Sequence, residues 1–400
     1  MLKLLFFSAA VLLIFVETKK APCSAEERLK YTITSLTGKF LNKQVQVNPE
    51  STLAVSAFPA VAILAELAIY SNDCLQKELL SILQLNNVDE IRSVLPKYYA
   101  TFNPQGEVKS ELYFEAFTNK SEPFSSSFKK TFKELIKGGT QNVNYDCPEE
   151  AANTINQWGK DHTSTTKGED VITKCEIPKD SGIIFVSTHD LQVNWDNPFN
   201  PKGMQDIEFN VNNNEVITMP ALYGEGLLNY AVIDWLNCSV VELPMKGGEN
   251  SVLLFSPDNV EGLADLLKKL EDPDCFYRAI DMLKSRCITV YVPLGEVNKV
   301  VDLKKNLQQA TSTSIFDPAN AELCGVTQGP NSVYVSSMLH QLHLIGNADV
   351  NEGNVTATTS DLCPDDGDRP IVIFNRPFVY YVMEKKFNTA MIGGLFFKNT

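Results

Sequence analysis

Leu29, Ile33, Leu36 and Phe40 step along the chain by four, three and four, the spacing that lines one face of a helix, and predict a helix over 26–43. The run 57–68 is apolar almost throughout and predicts a helix buried on every side. Further 3.6-residue patterns predict helices over 75–85, 125–136, 149–161 and 260–270, the last with Leu263, Leu266 and Leu267 on one side. Elsewhere short runs rich in β-branched and aromatic residues predict strands over 183–186, 252–255, 288–292, 333–335, 371–374, 378–382 and 391–397. Early helices followed by late strands, without βα alternation, give an α+β class. Gly393-Gly394 before Leu395-Phe396-Phe397 reads as a last strand buried close to the chain end.

Two features bound the organisation. Lys3, an apolar run over 4–16, then Glu17 and two lysines form the charge layout of a secretory signal, so residues 1–22 are expected to be removed on export. No linker, repeat or charge block divides the rest, and 23–400 is expected to be a single domain. No later stretch has the roughly 20 apolar residues that a membrane span needs. Asp and Glu outnumber Lys and Arg by 49 to 35, a net charge of −14. That surface would repel nucleic acid and anionic lipid, so neither is expected as a partner.

The nine cysteines at 23, 74, 147, 175, 238, 275, 287, 324 and 363 are scattered, no two closer than a dozen residues. No zinc spacing results, and neither a metal nor another cofactor is expected. Pairings cannot be read from such a set, and an odd number leaves one thiol over. Sequons at Asn119, Asn237 and Asn354 are candidate glycosylation sites. Four histidines, His162, His189, His340 and His343, are the only imidazoles. There is no Gly-x-Ser-x-Gly elbow, phosphate loop or His-Glu-x-x-His. His340 and His343 fall on opposite sides of a strand-like run, so no triad is assembled there and no catalytic residue is assigned.

The segment Val372-Ile373-Phe374-Asn375-Arg376-Pro377-Phe378-Val379-Tyr380-Tyr381-Val382 resembles the C-terminal signature of the serpins: an apolar strand, an Asn-basic-Pro-Phe turn and a second apolar strand. Further serpin-like segments follow in family order. They are Asn153-Thr154-Ile155-Asn156-Gln157-Trp158, Val193-Asn194-Trp195 with Asn197-Pro198-Phe199, and Phe209-Asn210-Val211 before Val216, Met219 and Pro220. Val301-Asp302-Leu303-Lys304 with Leu307, then Phe316, then Leu323 with Gly325-Val326 complete the series. The resemblance spans nearly the whole mature chain. It implies three β-sheets, eight or nine helices and an exposed reactive loop, in a secreted, monomeric protein that inhibits an extracellular serine or cysteine protease. In such inhibitors the protease cuts the loop, and the freed loop enters the large sheet as a new strand. A non-inhibitory serpin serving as carrier, store or signal is the alternative.

The same resemblance implies site residues. His340 matches the histidine beneath the large sheet where its strands part, Ser56 the serine that partners it, and Trp195 the tryptophan near the top of that sheet. Ser187 stands where asparagine is usual and Ala57 where proline is usual, departures that weaken sheet opening. Gly353 opens the hinge, which continues through Asn354, Val355, Thr356, Ala357, Thr358 and Thr359. Counting forward from Gly353 puts the scissile bond after Gly367, and counting back from Phe374-Asn375 puts it after Asp366. Asp366-Gly367 is preferred, because Gly367 leaves an uncrowded leaving side while Arg369 precedes Pro370.

Cys363 falls on that loop as a free thiol, an inert residue or a disulfide tether; the free thiol is expected from the odd count, and a tether would oppose insertion. Asn354 stands where a small residue is usual. Burying its amide without a partner costs about 1–3 kcal/mol, and a glycan there would block insertion outright, so the hinge is expected to work poorly or under regulation.

Overall fold

A computed structural model describes residues 24–398 apart from 48–49, 105–107, 165–168, 197–203, 294, 330–331, 347–362 and 364–368. The expected signal segment 1–22 lies outside the described residues. The first elements are α1 (Ala25–Val47), β1 (Leu53–Val55), α2 (Phe58–Ile69), α3 (Asp73–Leu83), α4 (Val88–Phe102) and β2 (Lys109–Asn119). Next come α5 (Ser126–Ile136), β3 (Gly139–Val143), α6 (Pro148–Asp161), β4 (Ile183–Val193) and β5 (Gln205–Asn212). Then follow β6 (Glu215–Ile233), β7 (Cys238–Pro244), β8 (Asn250–Pro257), α7 (Leu263–Leu270), α8 (Pro273–Asp281) and β9 (Lys284–Pro293). The chain finishes with β10 (Glu296–Asp302), α9 (Leu303–Ala310), β11 (Val335–Gly346), β12 (Ile371–Ile373), β13 (Phe378–Glu384) and β14 (Thr389–Phe396).

Local chemistry sets many of these ends. Asn72, Asn87, Ser125 and Asp302 cap α3, α4, α5 and α9, each side chain accepting from a backbone N–H in the first turn. Pro148 opens α6, where its missing N–H costs nothing. The sequence pattern does not predict α4, which carries Pro96 in its interior, a residue that normally ends a helix.

Five strands form one sheet in the order β10-β11-β4-β2-β3. The other nine form a continuous network, β1-β14-β13-β8-β7-β6-β9-β12 with β5 on β6. The 19-residue β6 joins two sheet regions. Its earlier part pairs with β5 and β9, and its last residues, Asn229 to Ile233, pair with β7. The three expected sheets are therefore present, two of them sharing one strand.

Every residue of β13 and β14 is buried, as the strand runs over 378–382 and 391–397 predict. Gly394 is needed there: a Cβ would stand 1.9 Å from the Tyr380 ring. The apolar helix α2 is sealed beneath the sheets, with Phe58 stacked on Phe102 at 4.2 Å between ring centroids. Burying one such phenylalanine contributes about 1.5–3 kcal/mol. This core holds the back of the five-stranded sheet, whose central strands carry the site.

Candidate functional site

β11 and β4 lie side by side and parallel, paired from Val335 with Ile183 to Gly346 with Val193. Parallel ladders hold slightly less well per residue than antiparallel ones. An antiparallel strand entering here would replace one parallel ladder with two antiparallel ones. This seam is the longer of the two parallel ladders described in this sheet, the other joining β2 to β3.

Beneath the seam lies a polar row in an apolar bed. His340 pairs in register with Ser187, and Nδ1 of His340 lies 2.9 Å from the Ser187 hydroxyl across the two strands. His340 is fully buried, and its Nε2 has no hydrogen-bond partner among the described residues. Burial, reinforced by neighbouring His189, lowers its pKa to about 3. His189, two residues along β4 from Ser187, places Nε2 3.0 Å from the Ser110 hydroxyl, and burial lowers its pKa to about 4. Both rings are held neutral.

The expected partnership of Ser56 with His340 is not formed. Ser56 follows β1, which pairs with β14, and its hydroxyl donates instead to the Met391 carbonyl at 2.7 Å. Ser187 takes its place because it is the register mate of His340. A serine offers one short hydroxyl where the family asparagine would offer an amide. Trp195 sits past the end of β4 and bridges to Met245, facing an apolar cleft between the two sheet systems with Leu344, Val292 and Tyr380.

On the other face of the seam, period-two alternation puts His343 opposite Asp190. His343 Nδ1 lies 3.3 Å from Asp190 Oδ1 and Nε2 lies 3.1 Å from Glu296 Oε1. The Asp190 bond raises the His343 pKa against the opposing effect of burial, and Glu296 adds to it. Burial pushes the Asp190 carboxyl up, but bonds from His343, Ser164 and Thr163 outweigh it and hold it low. Ser164 Oγ also meets Nδ1 of His343, at 3.3 Å. Asp190 of β4 and Glu296 of β10 thus hold His343 of β11 from two sides, and the cluster clamps three adjacent strands together.

The hinge residues 353–359, the expected scissile pair Asp366 and Gly367, and the sequon at Asn354 lie outside the described residues. Of the other sequons, Asn237 is exposed in a turn and Asn119 half-buried at the end of β2. Where the chain rejoins the body, Arg369 ion-pairs with Glu225 at 3.3 Å, Pro370 accepts a bond from Thr289 N–H, and β12 pairs with β9. The expectation of a free thiol at Cys363 is overturned: it is bonded to Cys287 of β9, with the Cα atoms 5.7 Å apart. The odd count is accommodated elsewhere, since Cys74, Cys147, Cys175, Cys238 and Cys324 form no disulfide among the described residues. No signal in the sequence singles out Cys287, whereas the Asp190–His343 clamp follows once the two strands are known to be adjacent.

The chain belongs to the serpin family: the family profile Serpin (serine protease inhibitor) matches residues 31–398. It is 22% identical over 375 residues to Antitrypsin of Bombyx mori, covering 92% of this chain and 93% of that protein. Its fold is similar to that of Serpin48, described as a highly specific serpin of the insect Tenebrio molitor, with a TM-score of 0.81, 18% identity and coverage of 93% and 98%. It is also similar to uncleaved ovalbumin, with a TM-score of 0.80, 17% identity and coverage of 92% and 99%.

Proposed function

We propose that this serpin is a secreted inhibitor of an extracellular serine or cysteine protease, working as a monomer through cleavage at Asp366-Gly367 and entry of residues beginning at Gly353 into the seam between β4 and β11. The observation that carries this reading is the empty parallel seam, spanned by polar groups that must part before a strand can enter. Ser187, His340 and Trp195 line the opening, and Ser56 anchors β1 to β14 beside it. The protein acts as bait and trap, not as an enzyme. Arg369 is engaged by Glu225, which supports placing the bait upstream of it, and the acidic tip around Asp365, Asp366 and Asp368 suits a protease with a basic or neutral specificity pocket. Asn119, Asn237 and Asn354 are its proposed glycosylation sites. No helix of the described residues is long and apolar enough to cross a membrane, and export rests on the signal-like segment 1–22.

A second reading, a serpin that carries, stores or signals without trapping, draws support from the Cys287–Cys363 tether. Incubation with a panel of serine and cysteine proteases separates the two readings. The first predicts a detergent-stable adduct on a gel with at least one of them. Simple cleavage by every protease, with no adduct before or after the tether is opened, favours the second.

A further inference from the structure

We propose that the Cys287–Cys363 disulfide is a thiol-exchange site that decides whether this serpin can trap a protease: trapping requires its reduction by an external dithiol, such as a thioredoxin-like protein. The inference rests on the trapping function proposed above. Cys363 lies upstream of the bait bond, in the part of the loop that must travel into the sheet. While its sulfur is joined to Cys287, the two Cα atoms stay 5.7 Å apart, and Cys287 is fixed in β9, paired in register with Leu227 of β6.

Chain length then limits insertion. About 17 backbone steps separate Gly346, the end of β11, from Cys363, so the segment reaches at most about 60 Å. A tethered loop that descends the seam must also climb back, using each increment of depth twice. Even if Cys287 stood at the mouth of the seam, only about eight residues could enter. The strands they would have to match are 11 and 12 residues long. Cutting the bait bond does not relieve this, because the cut falls downstream of Cys363.

The site suits exchange. Cys287 lies two residues before the stretch of β9 that β12 pairs with, Thr289 to Tyr291, and it is half-buried, whereas Cys363 is 8% exposed. A reductant thiolate attacks the Cys287 sulfur, the Cys287–Cys363 bond breaks, and Cys363 leaves as a thiolate that takes a proton. The second thiol of the reductant resolves the mixed disulfide. The net change is two protein thiols and one oxidised reductant, with the loop freed. Arg369 donates from its guanidinium to the Cys363 carbonyl at 3.5 Å and so holds the backbone at the leaving cysteine.

Asp366→Arg gives trypsin an Arg-Gly bond at the bait position and supplies a defined probe. The full mature protein carrying this change is mixed with trypsin in three forms: oxidised, reduced with dithiothreitol that is then removed under nitrogen, and with Cys363→Ser added. The expected result is cleavage without a detergent-stable adduct for the oxidised form, and an adduct for the other two; the reduced form carries no cysteine substitution, so misfolding of a variant cannot mimic the effect. An adduct from oxidised protein in which non-reducing peptide mapping still finds Cys287 joined to Cys363 overturns the gate and leaves the inhibitory reading standing. No adduct from any of the three overturns both.

Discussion

Gly182→Ala destabilises the protein by about 3 kcal/mol, the upper part of the usual range for overpacking a rigid site. A Cβ at residue 182 would lie 2.1 Å from the Tyr334 carbonyl oxygen and 2.9 Å from its carbon. That carbonyl accepts the Ile183 N–H at 2.8 Å, and the Gly182 carbonyl accepts the Tyr145 hydroxyl at 3.1 Å. The new Cβ is fixed by its own backbone and its closest contact is the Tyr334 backbone carbonyl, so relief requires the entrances of β4 and β11 to move apart. Denaturant unfolding measures the loss, and hydrogen exchange at Ile183 locates it. Gly248→Ala is the control: a Cβ there meets nothing within 4 Å, and the cost is only that of its left-handed backbone, about 1 kcal/mol. Equal losses at the two glycines would contradict the tight closure of the seam's lower end.

His340→Gln makes the protein relatively more resistant to acid, by about 2 kcal/mol between pH 7 and pH 5. The sign follows from a folded-state pKa of about 3 against the ordinary 6.5. A base depressed in this way contributes full stability above pH 6.5 and loses it as pH falls toward 3, because the unfolded or opened chain binds the proton first. His189, at about 4, acts in the same sense. Glu66 and Glu115, both raised to about 7 chiefly by burial, act oppositely and add relative stability as pH falls from 7 to 4.5. His343, raised by Asp190, also favours the folded state on the acid side, its stability being fully present below 6.5 and lost as pH rises through its folded value. These opposed titrations flatten the curve of the unmodified protein, so the readout is the difference in slope between it and the variant. Parallel curves would remove the buried neutral imidazole from the account.

Much of this architecture is legible in the residues. The four-three-four step from Leu29 to Phe40 marks α1, and the apolar run over 57–68 marks α2 to within a residue or two. The Asn375-Arg376-Pro377-Phe378 turn carries the family because its apolar flanks leave few other arrangements; in the fold Arg376 donates to the Asp258 carbonyl and Phe378 stacks on Phe396. What escapes has physical causes. β6 contains Gly224, Gly226 and polar residues through much of its length, because one face of it is open to water, and it reads poorly as a strand. α4 is hidden by Pro96. Ser56 matches the family residue by residue, yet its hydroxyl is claimed by Met391, a contact 335 positions away. The same limit conceals the Cys287–Cys363 bond, since a partner 76 residues distant leaves no local signature. The expected looseness of the hinge at Asn354 remains a proposal, to be tested with Asn354→Thr.

The central claim, that a freed loop enters the seam between β4 and β11, is tested most directly by the melting temperature of the Cys363→Ser protein before and after its loop is cut downstream of residue 363. A new strand matching β4 adds on the order of ten backbone hydrogen bonds at about 1 kcal/mol each. The cut protein should therefore melt higher than the uncut one by roughly 10–20 °C, with slowed amide exchange along both strands. Cut and uncut proteins that melt together, with unchanged exchange in β4 and β11, would contradict the account.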